Sequence, residues 1–277
     1  MSGSALYTGV SGMGAQQQRM DIIANDIANM NTIAYKESEV TFQEALVDTI
    51  NAPAVGSPGR QFGMGVRMGL TARNFSGGSL NETGMASQFA IQGQGFFVVQ
   101  ATDSSGVPAG NQYYTRAGDF TMNVRDASTV NLINSSGYSL IGNDGTAINL
   151  RQGVPAGVDV TAFSVSQSGA ISSFGSDGIT YSVGTIPVVR FMNNNGLSAI
   201  GSNMYQWTAA ASTTQPTLTG APNSSDVNIV QGYIESSNVD LTREFSDLII
   251  TQRGFQANSK TITTVDEMMQ TVLGLKR

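Results

Sequence analysis

The sequence predicts a mixed α and β protein with its two kinds of element segregated: long N- and C-terminal helices that pair as a coiled coil, and a central antiparallel β domain. Three observations predict this. Apolar residues recur at every seventh position near both chain ends. The stretch between them consists of short apolar runs punctuated by Gly, Asn and Asp. Charged residues make up only 12% of the chain, about half the usual share. Gly, Ser, Thr and Asn fill the gap, giving a surface that is polar without being charged and suits burial against like subunits.

At the N-terminal end, Leu6, Met13, Met20 and Ile27 fall seven apart, and Val10, Ile23, Ala24 and Met30 widen the stripe. This predicts a helix of about 25 residues, roughly 40 Å long at about 1.5 Å per residue, with one apolar face. Gly9, Gly12 and Gly14 weaken its first turns, each by about 1 kcal/mol relative to alanine. That half therefore needs a neighbour to hold it.

The C-terminal end repeats the theme with Leu241, Leu248, Phe255, Ile262 and Met269, flanked by Phe245, Val265, Val272 and Leu273. A sustained period of seven argues for a coiled-coil seam. Asn238 or Asp240 is placed to cap the helix start, and Lys276 and Arg277 suit the negative end of its dipole. Ile249, Ile250 and Met268 lie off the seam. A single partner helix would leave them wet, so contacts on more than one side are expected.

Between the helices, the apolar runs at 89–91, 96–99, 130–133, 138–141, 163–165 and 186–191 alternate with Asn143-Asp144-Gly145, Gln167-Ser168-Gly169, Ser176-Asp177-Gly178 and Asn194-Asn195-Gly196. Gly and Asn tolerate positive φ, so these clusters read as turns and the runs as short antiparallel strands. Gln92-Gly93-Gln94-Gly95 reads as a tight hairpin joining the first two runs. Residues 51–63 and 208–226, rich in small residues and proline, read as linkers. The domain boundaries that follow are 1–31 plus 240–277 for the helices, 32–70 for a connector, and 71–239 for an outer β domain that divides, if at all, near 145–200.

Composition excludes much chemistry. There are no cysteines and no histidines, so thiolate nucleophiles, disulfides, and the commonest general base and metal ligand are all missing. The net charge is −6 with no Lys/Arg run, which leaves a nucleic-acid backbone without an electrostatic partner. No stretch of 18 apolar residues is present, so no membrane insertion is expected. Met1 to Gln18 lacks the basic and apolar regions of a signal peptide. Gly93-Gln94-Gly95 is only a fragment of a nucleotide-binding glycine motif, with strand rather than helix after it. Asn143-Asp144-Gly145 lacks the alternating ligands of a calcium loop. Trp207 reads as a packing residue. No enzyme activity, cofactor or metal is expected.

Met20 to Lys36, with Asn25, Asn29 and the turn Thr32-Ile33-Ala34-Tyr35-Lys36, resembles the N-terminal signature of flagellar rod and hook proteins. Ala34 stands where that family has glycine and Tyr35 where it has phenylalanine; alanine is a strain point if the turn needs positive φ. Phe89 to Phe97, Tyr114-Thr115-Arg116-Ala117-Gly118-Asp119-Phe120, and Gln231-Gly232-Tyr233 with Glu235 to Leu275 resemble further blocks of the family, in its order. The resemblance implies an inner helical domain lining a tube, a connector, an outer β domain, and a helical homopolymer that does not close. It implies assembly contacts through Leu6, Met13, Met20, Ile27, Asn25 and Asn29, and through Leu241, Leu248, Phe255, Ile262 and Met269. It also implies uncleaved passage through the flagellar export apparatus, and neighbours among rod, hook-cap and hook–filament junction proteins. Val239 to Phe245 and the ending Leu275-Lys276-Arg277 look more like hook proteins, whereas the length is close to the distal rod. The hook is the first reading, with the distal rod as its alternative.

Overall fold

The structure, a computed structural model, describes residues 2–45, 47–51, 60–103, 107–126, 129–155, 157–216, 218 and 227–275. Lys276, Arg277 and much of both expected linkers lie outside the described residues. The chain forms two compact units, one of residues 1–30, 37–74 and 239–277, the other of 31–36 and 75–238.

The first unit holds both helices, α1 (Ser2–Ala28) and α2 (Leu241–Gly274). It also holds four strands: β1 (Ser38–Glu44), β2 (Val47–Asn51), β3 (Arg60–Gly63) and β4 (Val66–Arg73). Asp240 is the N-cap of α2, its side chain accepting from the Thr242 N–H at 2.9 Å; of the two expected candidates it is the one used. At the end of α1, Asn29 Nδ2 donates to the Asn25 carbonyl at 2.9 Å and to its side-chain oxygen at 3.1 Å, beside the Asn29 backbone N–H that bonds the same carbonyl at 3.1 Å. The expected connector, residues 32–70, carries β1, β2, β3 and the start of β4. β1 pairs antiparallel with β4 from Ser38↔Arg73 to Glu44↔Val66, and β2 with β3 from Val47↔Gly63 to Asn51↔Arg60. Both helices and the β1–β4 pair therefore belong to one unit.

The second unit is antiparallel β, as expected. Its strands are β5 (Leu80–Glu82), β6 (Phe89–Gln92), β7 (Phe96–Thr102), β8 (Pro108–Thr115), β9 (Thr121–Asp126), β10 (Thr129–Ile133), β11 (Ser139–Leu140) and β12 (Val160–Val165). They continue as β13 (Ala170–Gly175), β14 (Thr180–Thr185), β15 (Val188–Val189), β16 (Ser198–Gly201), β17 (Met204–Gln206), β18 (Asn228–Gln231) and β19 (Tyr233–Glu235). The main sheet runs β16-β17-β8-β7-β11-β10-β9, with β15 also paired to β7. β12, β13 and β14 form a second sheet, and β18 and β19 pair with β6 and β5.

β7 is the spine of this unit. Because side chains alternate across a strand, Phe97 and Val99 enter one buried cluster with Phe89, Phe120 and Leu140, while Phe96 and Val98 enter another with Tyr114, Phe191 and Tyr205. Phe97 meets Phe120 edge-on at 5.6 Å, and Tyr114 meets Phe191 edge-on at 4.8 Å, a geometry that the ring quadrupoles favour. The turns at Gly169 and Gly178 have φ of 78° and 77° and join β12 to β13 and β13 to β14, as their composition predicts. Asn194–Gly196 instead forms a 3-10 turn.

The expected hairpin at residues 89–99 is not formed. β6 pairs with β18 (Asn228↔Gln92 to Gln231↔Phe89), and β7 pairs with β8, β11 and β15. The Gly-Gln-Gly-rich link does turn the chain, with Gly93 at φ 116° and Gly95 at φ 154°. Its carbonyls, however, serve a side chain rather than a ladder.

Candidate assembly interface

The helical contact is built from small residues. A Cβ on Gly9 would lie 2.8 Å from Ile262 Cγ1, one on Gly12 2.8 Å from Asn258 Nδ2, and one on Gly254 3.0 Å from Gln16 Nε2. Arg19 reaches Asp247 at 3.2 Å further along. These pairs run in opposite chain directions, so α1 and α2 lie antiparallel. Gly9 and Gly12, which cost helix stability on their own, let the two backbones approach. Gly14 has nothing within 4 Å, so close approach does not account for it.

The residues of α2 that are fully buried are Glu244, Thr251 and Val265, opposite buried Ala15, Ile23 and Asp26 of α1. They form a row displaced by three positions from Leu241, Leu248, Phe255 and Ile262. Those four are half-buried, as are Leu6, Met13, Met20, Ile27 and Asn29, while Asn25 is exposed and Met269 is 40% exposed. The physical reason is the glycines: at close approach the contact line has room for Thr251, Asn258 and Gly254, and the large apolar residues become its flanks.

What the chain leaves uncovered is as informative. On α2, Phe245, Ile249, Ile250, Met268, Val272 and Leu273 are each half or more exposed. On α1, Tyr7 and Val10 are too. So many large apolar side chains along one pair of helices are a surface without its cover. The off-seam residues Ile249, Ile250 and Met268 are among them, as expected.

A second constellation lies inside the β unit. Lys36 Nζ sits 2.7 Å from Glu235 Oε1, and Arg116 Nε sits 2.8 Å from Glu235 Oε2, with all three side chains at most 3% exposed. Lys36 also donates to the Ser76 carbonyl at 2.5 Å, and the Gly78 N–H donates to Glu235 at 2.9 Å. The Arg116 guanidinium takes the carbonyls of Gly95 at 3.1 Å, Gly93 at 2.9 Å and Ile91 at 3.4 Å. This is why the link between β6 and β7 curls rather than forming a hairpin. Burial pushes the Lys36 ammonium down, against the raising pull of Glu235. Burial would raise Glu235, but the charges of Arg116 and Lys36 outweigh it and hold the carboxyl below its usual range. Beside this centre Ala34, 1% exposed, has φ 57°, and its N–H donates to the Glu235 carbonyl at 2.8 Å. The strain anticipated for alanine at this turn is present.

In the sequence Lys36, Arg116 and Glu235 stand within longer family-like blocks, and nothing local assigns them a role. Their signal was present: charges next to apolar or glycine-rich runs in a chain with few charges. Among the described residues no group of three or more Asp or Glu is placed to hold a metal ion, and no helix is long and apolar enough to cross a membrane.

Three family descriptions match this chain. Residues 6–36 match "Flagella basal body rod protein", residues 90–173 match "Flagellar hook protein FlgE/F/G D1 domain", and residues 230–275 match "Flagellar basal body rod FlgEFG protein C-terminal". The flagellar basal-body rod protein FlgG of Bacillus subtilis is 35% identical over 99% of both chains. The chain belongs to the flagellar rod and hook protein family. The FlgG proteins of two Buchnera aphidicola subspecies, Baizongia pistaciae and Acyrthosiphon pisum, are 35% and 34% identical over 96% of this chain and 97% of theirs. The buried centre draws one residue from each matched family segment: Lys36 from the first, Arg116 from the second and Glu235 from the third.

Proposed function

We propose that this chain is a rod subunit, most like the distal rod, which polymerises with copies of itself into a tubular drive shaft. The observation that carries the reading is full-length similarity to proteins named as basal-body rod proteins. It favours the distal rod over the hook, which residues 239–245 and 275–277 suggest. The role is mechanical. In the polymer the flanking residues Leu6, Met13, Met20, Ile27, Leu241, Leu248, Phe255, Ile262 and Met269, with Asn25 and Asn29, meet neighbouring copies, and the helices form a coiled-coil lining. Each aliphatic side chain so buried contributes roughly 1.5–3 kcal/mol. Adjacent rod, hook-cap and junction proteins are the further partners, and the chain reaches them uncleaved through the export apparatus.

The hook remains a second reading, because the hook and rod share the description matched by residues 90–173. Electron microscopy of the purified chain at high concentration separates the two. Straight rigid tubes are expected; curved tubes would restore the hook. A protein that stays monomeric at every concentration, with its termini protected from protease, would defeat both.

A further inference from the structure

The first turn of α2 carries a carboxyl that the assembly reading does not use. Glu244 is 7% exposed. It lines a cavity of about 90 Å³ with Arg19, Ile22 and Ile23 of α1, Glu37 to Val40 at the start of β1, and Arg243 and Asp247 of its own helix. Three further carboxyls act on it: Asp26 from α1, Glu37 from the entry to β1, and Asp247 one turn on. Asp26 is 1% exposed and accepts from the Ser38 N–H at 3.0 Å, and Glu37 accepts from Asn74 Nδ2 at 2.8 Å. Glu39 also lines the cavity.

The positive charges nearby are spoken for. Arg19 pairs with Asp247 at 3.2 Å. Arg243, 60% exposed at its side chain, is 3.9 Å from Glu37. An additional negative charge here would be buried among like charges, with Arg243 as the compensating charge.

We propose that the α2 N-terminal turn is a proton-controlled latch: Glu244 closes onto α1 and β1 as a neutral carboxylic acid, and loss of its proton loosens the helical unit. Burial, then the charges of Asp26, Glu37 and Asp247, raise its pKa from 4.5 to about 7, with Arg243 opposing. A folded value above the unfolded one means that the folded chain holds the proton more tightly. In the folded chain Glu244 keeps its proton until about pH 7; the stability this gives is full below about pH 4.5, the unfolded value, and is lost as pH climbs to about 7. Above that it weakens no further. The proton is exchanged with solvent and no other bond changes. Because the latch sets how firmly α2 lies on α1, subunit packing is pH-sensitive too; that consequence alone rests on the rod reading.

Two measurements on the full chain test this. Carbon NMR of the glutamate carboxyls, across pH 3–9, is expected to show one carboxyl with a midpoint near 7, lost in Glu244→Gln. Every glutamate titrating near its ordinary value would overturn the latch. Thermal melts and proteolysis of α2 across pH 5–9 are expected to show protection falling up to about pH 7 and then levelling in the native chain, with a much smaller fall in E244Q. A native-like pH profile in E244Q would also overturn it. If E244Q fails to fold, the native titration decides alone. A chain that titrates as expected yet forms no tubes at any pH would defeat the rod reading and leave the latch standing.

Discussion

The β unit and the helical unit solve the same problem in opposite ways. In the β unit every large side chain of β7 from Phe96 to Val99 is at most 1% exposed. Its charged residues at the centre are neutralised by one another and by backbone carbonyls. In the helical unit the contact line holds Gly9, Gly12, Thr251 and Asn258, and apart from Ile23 and Val265 the large apolar residues of the helices stay half-covered or open. The β unit builds two buried clusters around one strand, whereas the helical unit leaves a run of large apolar residues along its helices uncovered. A polymer subunit needs both kinds of behaviour: a body that is stable before assembly, and a face whose burial is reserved for it.

That comparison can be tested by substitution, starting where the effect is largest. Phe97→Ala should destabilise the β unit by about 3–5 kcal/mol, read in urea melts followed by Trp207, the single tryptophan, which lies in this unit. Phe255→Ala, by contrast, should shift melts of the monomer much less and abolish tube formation. Equal loss of monomer stability from both would erase the distinction between the units.

Glu235→Gln strands Lys36 and Arg116, two buried cations, and removing one member of a buried pair costs about 3–5 kcal/mol. The same Trp207 melts should show this. Gly12→Val puts a branched side chain where Asn258 already lies. An overpacking cost of about 1–3 kcal/mol should then appear in the helical signal at 222 nm and leave the Trp207 signal unchanged. The smallest effect is expected at Ala34. Ala34→Gly relieves a left-handed conformation that costs an L-residue roughly 1–2 kcal/mol, offset by the extra freedom glycine has in the unfolded chain. A net stabilisation of a few tenths to about 1 kcal/mol should follow, and a loss of stability would show that the strain is not what limits this turn.

Both helices and six of the nineteen strands among the described residues were legible in the sequence. The heptad spacing of Leu241, Leu248, Phe255 and Ile262 announced α2, and Asp240 announced its start, because helix period and capping are local properties. The turns at Gly169 and Gly178 were legible because glycine's tolerance of positive φ is local too. The connector was not: Pro53 and Pro58, which lie outside the described residues, signalled irregularity, whereas residues 47–51 and 60–63 pair as strands. Nor was the pairing of β6 with β18: those strands are far apart in the chain, and proximity along the sequence favoured the neighbouring β7.

By itself, then, the sequence determined the two terminal helices, the antiparallel β character between them, and the family. Tertiary structure alone decided which row of α2 faces α1, because periodicity reports that a face exists but not how closely a partner approaches it. It also decided that Lys36, Arg116 and Glu235 share one buried centre and that Glu244 sits among like charges. Charge meetings of this kind depend on the folded path of segments some forty to two hundred residues apart, and no local rule of spacing records that path.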